Sequence, residues 1–196
     1  MDLAFLLRLL VSFLIGAIPF AVVAMWGTGI DITKVGSKNP GFNNVLRMGF
    51  KKRALIALLG DISKGFVALL LLSRPGDPAP MTWGLGLAAI LGHCWTPYLG
   101  FKGGKGVATT TGVLLFLEWK FTLICGPIYP LVRILGRRFG LVQEGAVASL
   151  LMLAAITTLI VVLRGGQTAL FALGILALIV LRHTSNLREV VVKLRS

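Results

Sequence analysis

The chain has few acidic residues: seven of its 196 residues are Asp or Glu, against twenty Lys and Arg. These carboxylates do not cluster as metal ligands would, so we expect no metal and no cofactor. Two cysteines, Cys94 and Cys125, both lie in apolar sequence and offer neither a disulfide framework nor the spacing of a zinc site. The sequence therefore argues against a metalloenzyme and against a small disulfide-stapled fold.

Two common enzyme motifs are also missing. Many thioester-dependent acyltransferases carry a His-x-x-x-x-Asp box, but Tyr98 and Arg188 stand five residues after His93 and His183. A nucleotide-binding P-loop needs Gly-x-x-x-x-Gly-Lys followed by Ser or Thr. Here Gly106 follows Lys105 and position 99 is Leu. We therefore expect no nucleotide-hydrolysing P-loop.

Apolar residues, by contrast, are abundant. They make up 56% of the chain, charged residues only 14%, and the mean hydropathy is +0.89. This composition predicts an all-α, polytopic membrane helix bundle with about seven transmembrane helices, two of them short. The first apolar run is longer than the core of a usual signal peptide, and we interpret it as the first helix. The predicted helices cover about 3–26, 55–72, 81–98, 107–118, 121–133, 145–163 and 169–182.

The charge pattern predicts the orientation of these helices. Most Lys and Arg fall in loops 27–54 and 99–106, in the segment around 133–138 and in the tail after residue 182. Basic loops stay in the cytoplasm, so the N-terminus is expected outside and the C-terminus in the cytoplasm. Topology and anionic lipid account for the net charge of +13 without nucleic acid as a partner. No linker divides the chain, which predicts a single integral membrane domain over residues 1–196.

Three polar stretches on the predicted cytoplasmic side have the chemistry of phosphate sites. The first runs from Gly36 to Arg47, where Ser, Asn and Gly can form an anion-binding turn and Arg47 can grip a phosphate through two hydrogen bonds. The second contains Gly92-His93 and the Phe101–Thr109 segment, whose glycines let backbone approach a ligand beside Lys105 and a helix N-terminus. The third is the Arg182–Asn186 segment, in which His183 and Asn186 share a helix face.

Each stretch also has a purely structural interpretation. The first is compatible with an ordinary polar loop, His93 with a packed helix-end histidine, Lys105 with a topology-setting charge, and the third stretch with an interfacial helix anchor. Asp61 and Lys64, three residues apart in the second helix, are best interpreted as a structural ion pair. Arg8 is expected to extend toward the outer interface.

The sequences GSKNPGFNNVLR, GHCWTPYLGFKGGKGVAT and RHTSN, in this order, resemble the three signature motifs of the bacterial acyl-phosphate-dependent glycerol-3-phosphate acyltransferases, the PlsY family. The segment Asp61–Gly65 is similar to that family's D-x-x-K-G motif. The resemblance implies transfer of a fatty acyl group from acyl phosphate to the 1-hydroxyl of glycerol 3-phosphate, giving lysophosphatidic acid and phosphate. It also implies a multi-pass protein of the bacterial cytoplasmic (inner) membrane, an active site facing the cytoplasm, contact with membrane lipid, and a functional link to the enzyme that makes acyl phosphate.

The motif positions suggest a set of site residues. The expected catalytic residues are Ser37, Lys105, His183 and Asn186. The expected substrate-binding residues are Asn39, Gly41, Asn44, Arg47, His93, Lys102, Gly103, Gly104, Gly106, Thr109 and Ser149. His183 is a candidate general base, but a phosphate oxygen of the substrate could equally take the proton while His183 and Asn186 orient the substrate.

Two other function classes compete with the enzyme. A transporter or flippase for an anionic lipid precursor would suit short, interrupted helices. Most polar residues here map to one interface rather than across the bilayer, which favours an enzyme. A structural membrane scaffold is the third class, and it predicts that Lys105 and His183 can be replaced without loss of activity.

Overall fold

The computed structural model describes residues 2–195 and is all-helical over them. Its α-helices, in chain order, are α1 (Leu3–Ala17), α2 (Phe20–Met25), α3 (Phe42–Arg47), α4 (Lys51–Leu72), α5 (Ala79–Cys94), α6 (Val107–Leu117), α7 (Trp119–Cys125), α8 (Ile128–Arg138), α9 (Glu144–Leu163), α10 (Gly166–Arg182) and α11 (Thr184–Arg195). A short 3₁₀ turn at Pro97–Leu99 follows α5. The predicted all-α fold is confirmed.

Within residues 2–195, three segments are long and apolar enough to cross a membrane: Leu3–Met25, Lys51–Leu72 and Glu144–Leu163. A fourth candidate is the pair Gly166–Arg182 and Thr184–Lys193, which bends by 63° at His183. These spans agree with the predicted helices 3–26, 55–72, 145–163 and 169–182. The count of about seven transmembrane helices and the orientation of the termini stay predictions.

Several helix boundaries differ from prediction, and proline explains most of the differences. The predicted helix 3–26 breaks at Ile18 and Pro19, because proline lacks the N–H that would continue the helix. The predicted helix 121–133 is interrupted at Gly126 and Pro127 and continues as α8. Helix α5 covers 79–94 rather than 81–98, since the residue before Pro97 is biased toward extended backbone.

The sequence interpretation missed helix α11. It treated residues after 182 as a charged tail, because the motif Arg182–Asn186 looked like the end of a helix. In the structure the chain bends at His183 and resumes a helix at Thr184. Exposed Val191 and Val192 lie on α11 together with basic residues. The sequence signal for a second, amphipathic helix was the spacing of Leu187, Val190, Val191 and Leu194.

The chain forms two compact units, Met1–Leu117 and Glu118–Ser196. In the first unit, glycines allow very close helix packing. A Cβ at Gly92 of α5 would lie 2.0 Å from the Phe13 carbonyl oxygen of α1, and a Cβ at Gly112 of α6 would lie 1.9 Å from the Ile62 carbonyl oxygen of α4. Small residues are the usual means of bringing helix backbones together in lipid.

Arg8 bonds to the loop between α4 and α5, and its expected extension toward the outer interface stays a prediction. Its guanidinium donates to the Leu72 carbonyl at 2.7 Å and forms a two-pronged ion pair with Asp77. The side chains of Arg8 and Asp77 are each only about 10% exposed. Arg8 therefore ties α1 to the loop between α4 and α5.

The second unit has a comparable ion pair between distant residues. Arg164, just after α9, donates to both carboxylate oxygens of Glu118 at 3.1–3.2 Å. Its guanidinium also lies over the Phe121 ring, 5.2 Å from the centroid. This contact joins the start of α7 to the end of α9.

Candidate active site

The first polar stretch is built around the buried side chain of Asn44. Its Nδ2 donates to the carbonyls of Ile32 and Val35 at 3.0 Å each, and its Oδ1 accepts from the Ser37 backbone N–H at 2.9 Å. A Cβ at Gly36 would lie 2.3 Å from Asn44 Oδ1. Asn44 is fully buried and shapes the loop. These contacts give the Asn44 amide a structural role, and its predicted role as a substrate ligand stays a prediction.

The loop that Asn44 holds presents other predicted residues to the surface. Ser37 and Arg47 are exposed, and Asn39 is half-buried. Gly41 immediately precedes α3, and its N–H donates to the Asn39 carbonyl at 2.9 Å. Arg47 lies in the last turn of α3. The hydroxyl, amide and guanidinium side chains of this loop are the donors that a phosphate would need.

The glycines of the second stretch lie against His93. The N–H groups of Gly103 and Gly104 donate to the carbonyls of Cys94 and His93 at 3.2 and 3.1 Å. A Cβ at Gly104 would lie only 2.2 Å from His93 Nε2. The close approach predicted for these glycines exists, but its partner is the protein itself. Gly103 and Gly104 thus pack against the end of α5, and their predicted contact with substrate stays a prediction.

His93 and Thr109 are both buried. His93 is 7% exposed and places Nδ1 3.5 Å from an Asp61 carboxylate oxygen. Thr109 is fully buried on α6. Its carbonyl oxygen would lie 2.3 Å from a Cβ at Gly65 of α4. His93 therefore contacts the glycine loop and Thr109 packs against α4, and their predicted roles as substrate ligands stay predictions.

Lys105 and its neighbours keep the features expected of an anion site. Lys105 is half-buried, and Lys102 is exposed. Gly106 has a positive φ of 86°, a backbone conformation that favours glycine, and α6 begins at the next residue as predicted. Lys105 therefore lies two residues before the start of α6, where the helix dipole also favours anions.

The third stretch places His183 at the bend between α10 and α11. His183 is 3% exposed, and its Nδ1 lies 2.8 Å from the Ile179 carbonyl oxygen. A carbonyl can only accept, so Nδ1 carries the proton. In the neutral imidazole the lone pair is consequently on Nε2, the nitrogen that can accept a hydrogen bond.

Asn186 and Ser149 are held by contacts within the second unit. Asn186 Nδ2 donates to the Gln143 side-chain oxygen at 2.7 Å, and Gln143 in turn donates to Glu189. Ser149 is buried on α9 and donates to the Gly145 carbonyl at 2.7 Å. These hydrogen bonds orient both side chains.

These predicted residues form three groups: the loop of Ser37 to Arg47, the loop of Lys105, and the bend at His183. The first two belong to the first unit and the third belongs to the second. The convergence of the three groups on one pocket stays a prediction. A family model described as "Glycerol-3-phosphate acyltransferase" matches residues 6–193, which include all three groups.

The chain belongs to the glycerol-3-phosphate acyltransferase family. Its similarity to named members is extensive. It is 39% identical to the glycerol-3-phosphate acyltransferase of Neisseria meningitidis serogroup A, over 92% of this chain and 90% of the relative. It is 37% identical to that of Laribacter hongkongensis, over 93% and 90% of the two chains.

Solved structures agree with this family assignment. The crystal structure of PlsY, an integral membrane glycerol 3-phosphate acyltransferase, in its glycerol 3-phosphate form superposes with a TM-score of 0.84 at 30% identity. The match covers 96% of this chain and 92% of that one. The lysophosphatidic acid form gives a TM-score of 0.82 at 29% identity over the same shares. This family member is therefore a multi-pass integral membrane protein.

Sequence reasoning missed Gln143, which contacts the predicted site residue Asn186. It has a positive φ of 58° just before α9, and its side chain bonds both Asn186 and Glu189. No motif singles it out, because it is separated from Asn186 by 43 residues. Only the packing of the α8–α9 loop against α11 makes its role visible.

Proposed function

We propose that this protein transfers a fatty acyl group from acyl phosphate to the 1-hydroxyl of glycerol 3-phosphate, releasing lysophosphatidic acid and inorganic phosphate. Its membership of the glycerol-3-phosphate acyltransferase family supports the acceptor. The missing His-x-x-x-x-Asp box supports a donor that is already activated. The observation that carries the proposal is the conjunction of an Nδ1-protonated His183 with two basic loops in one family member.

The chemistry requires positioning more than covalent catalysis. The hydroxyl oxygen attacks the acyl carbonyl carbon, the bond from that carbon to the phosphate oxygen breaks, and an ester bond forms. The departing phosphate is basic enough to take the hydroxyl proton, so atoms and charges balance without a covalent enzyme intermediate. Holding two substrates in reactive geometry can supply roughly 7–11 kcal/mol of the barrier.

The side chains of the three groups have different roles in this reaction. Arg47 binds the phosphate of glycerol 3-phosphate, and Lys105 neutralises phosphate charge on the acyl donor. His183 accepts a hydrogen bond from the attacking hydroxyl through Nε2, because its Nδ1–H is already donated to Ile179. Asn186 and the donors of Ser37 and Asn39 orient substrate oxygens or stabilise the developing oxyanion.

Charge asymmetry supports the membrane placement of this chemistry. The proposed ligands lie in segments that are rich in Lys and Arg, and such segments stay on the cytoplasmic side. We therefore propose the cytoplasmic (inner) membrane of a bacterium, with the active site facing the cytoplasm. Soluble glycerol 3-phosphate then enters from water, and the acyl chain remains in the lipid layer. The donor would come from an enzyme that makes acyl phosphate.

The test is an assay of the purified protein in liposomes with labelled glycerol 3-phosphate and either palmitoyl phosphate or palmitoyl-CoA. We expect labelled lysophosphatidic acid from palmitoyl phosphate and little product from palmitoyl-CoA. Folded protein that makes no lysophosphatidic acid would refute the enzyme. Uptake of label into empty liposomes under the same conditions would support transport instead.

A further inference from the structure

Asp61, Lys64 and His93 form a buried charge cluster next to the glycine loop that precedes Lys105. Asp61 and Lys64 of α4 are 2–3% exposed, and Lys64 Nζ lies 2.7 Å from Asp61 Oδ1. Lys64 also donates to the Ile18 carbonyl at 2.7 Å, at the break between α1 and α2. His93 of α5 approaches the same Asp61 oxygen. Because an isolated buried charge is costly, this carboxylate is held between two groups that can be cationic.

The His93 ring connects this cluster to the glycine loop. On one side of the ring, Nδ1 lies 3.5 Å from Asp61 Oδ1. On the other, Nε2 is so close to Gly104 that a Cβ there would lie 2.2 Å away. The His93 backbone carbonyl also accepts the Gly104 N–H at 3.1 Å. The imidazole thus fills the space between a fixed carboxylate and the backbone one residue before Lys105.

We propose that Asp61 and His93 are positioning residues that set the backbone of Gly103–Gly104 and thereby the position of Lys105. This inference rests on the proposed function, which assigns Lys105 to phosphate. Asp61 fixes the orientation of the imidazole, and the imidazole supports the loop. His93 touches no substrate in this account. Gly104 is required because any side chain would displace either the ring or the loop.

The experiment is a double-variant cycle between positions 93 and 104, read by kcat, KM and Tm. His93→Ala and Gly104→Ala are each expected to lower kcat/KM about 10–100-fold, since small misplacements of a substrate-binding group cost that much. The substrate whose KM rises should be the one affected by Lys105→Ala. In the double variant the new Cβ occupies space left by the ring, so its defect should not exceed that of the worse single variant.

Two further variants separate positioning from general destabilisation. Ile90→Val removes a methyl group from a fully buried site on the same helix and should lower Tm without changing KM. Asp61→Asn with Lys64→Met removes both charges together, so that no lone buried ion remains, and should reproduce the KM change of His93→Ala.

Three results would overturn the inference. The first is a loss of kcat/KM in the double variant equal to the product of the two single-variant losses. The others are an unchanged KM in His93→Ala and a KM change in Ile90→Val equal to that of His93→Ala. Wild-type protein in the same assay reports on the proposed function separately. If the wild type makes no lysophosphatidic acid, that function fails. The Tm values still decide whether the ring supports the loop, because measuring them needs no turnover. Support predicts that the Tm change of the double variant differs from the sum of the two single-variant changes.

Discussion

Asn44 Oδ1 accepts the backbone N–H of Ser37 at 2.9 Å, while the same side chain donates to two carbonyls of residues 32 and 35. One buried amide therefore closes the loop that carries Ser37, Asn39 and Arg47. Its position in the motif suggested that Asn44 is a substrate ligand. Its contacts show that Asn44 holds the conformation of the loop.

Replacing Asn44 with Ala should destabilise the protein by about 2–4 kcal/mol, because the carbonyls of Ile32 and Val35 and the N–H of Ser37 lose their partner. Asn44→Asp should not rescue it, since a carboxylate would face the carbonyls of Ile32 and Val35. Thermal unfolding in detergent measures both effects. A normal Tm with a raised KM would instead restore Asn44 as a substrate ligand.

Arg47→Ala should raise the KM for glycerol 3-phosphate roughly 10–100-fold with a smaller effect on kcat, because charge-assisted hydrogen bonds to phosphate are lost. Arg47→Lys should recover only part of the affinity, since an ammonium cannot form the two-pronged contact. Lys34→Ala is the matched control, because Lys34 is an exposed cation of the same segment, paired with Asp31. An unchanged KM in Arg47→Ala would contradict its assigned role.

His183→Ala should lower kcat roughly 100-fold, because the attacking hydroxyl loses the acceptor that orients it. His183→Gln should retain more activity than His183→Ala, since its amide oxygen can still accept a hydrogen bond. Steady-state kinetics with both substrates near saturation measure the difference. If Gln is as inactive as Ala, His183 acts as the base and the departing phosphate does not receive the proton directly.

Acid should weaken the contact between Arg8 and Asp77. The hydrogen bond from Arg8 lowers the pKa of Asp77 below its usual 3.8, so the folded state favours the ionised carboxylate. Its contribution to stability is complete above pH 3.8 and is lost as the pH falls through the lower folded pKa. Tm should therefore fall in this window. The acid-induced fall in Tm should be smaller in Asp77→Asn than in the wild type. Equal falls in the two proteins would show that the Arg8–Asp77 pair does not cause the loss of stability.

The sequence predicted the helical class and the long spans because apolar runs of bilayer length are a strong signal. It also predicted the Asp61–Lys64 pair from helical spacing, and the structure confirms it. It could not show that Gly103 and Gly104 lie against His93, or that Asn44 is fully buried. Those facts depend on contacts between segments distant in sequence. The composition of a loop is equally compatible with binding an anion and with packing against a neighbouring helix.

The most direct test of the account is ³¹P NMR of the purified protein with glycerol 3-phosphate and palmitoyl phosphate labelled with ¹⁸O at the oxygen that bridges carbon and phosphorus. Attack at the acyl carbonyl predicts that lysophosphatidic acid and inorganic phosphate appear in equal amounts, with the label entirely in the phosphate. Phosphorus-containing products without the label, because attack at phosphorus leaves the labelled oxygen in palmitate, or folded protein that consumes neither substrate, would contradict it.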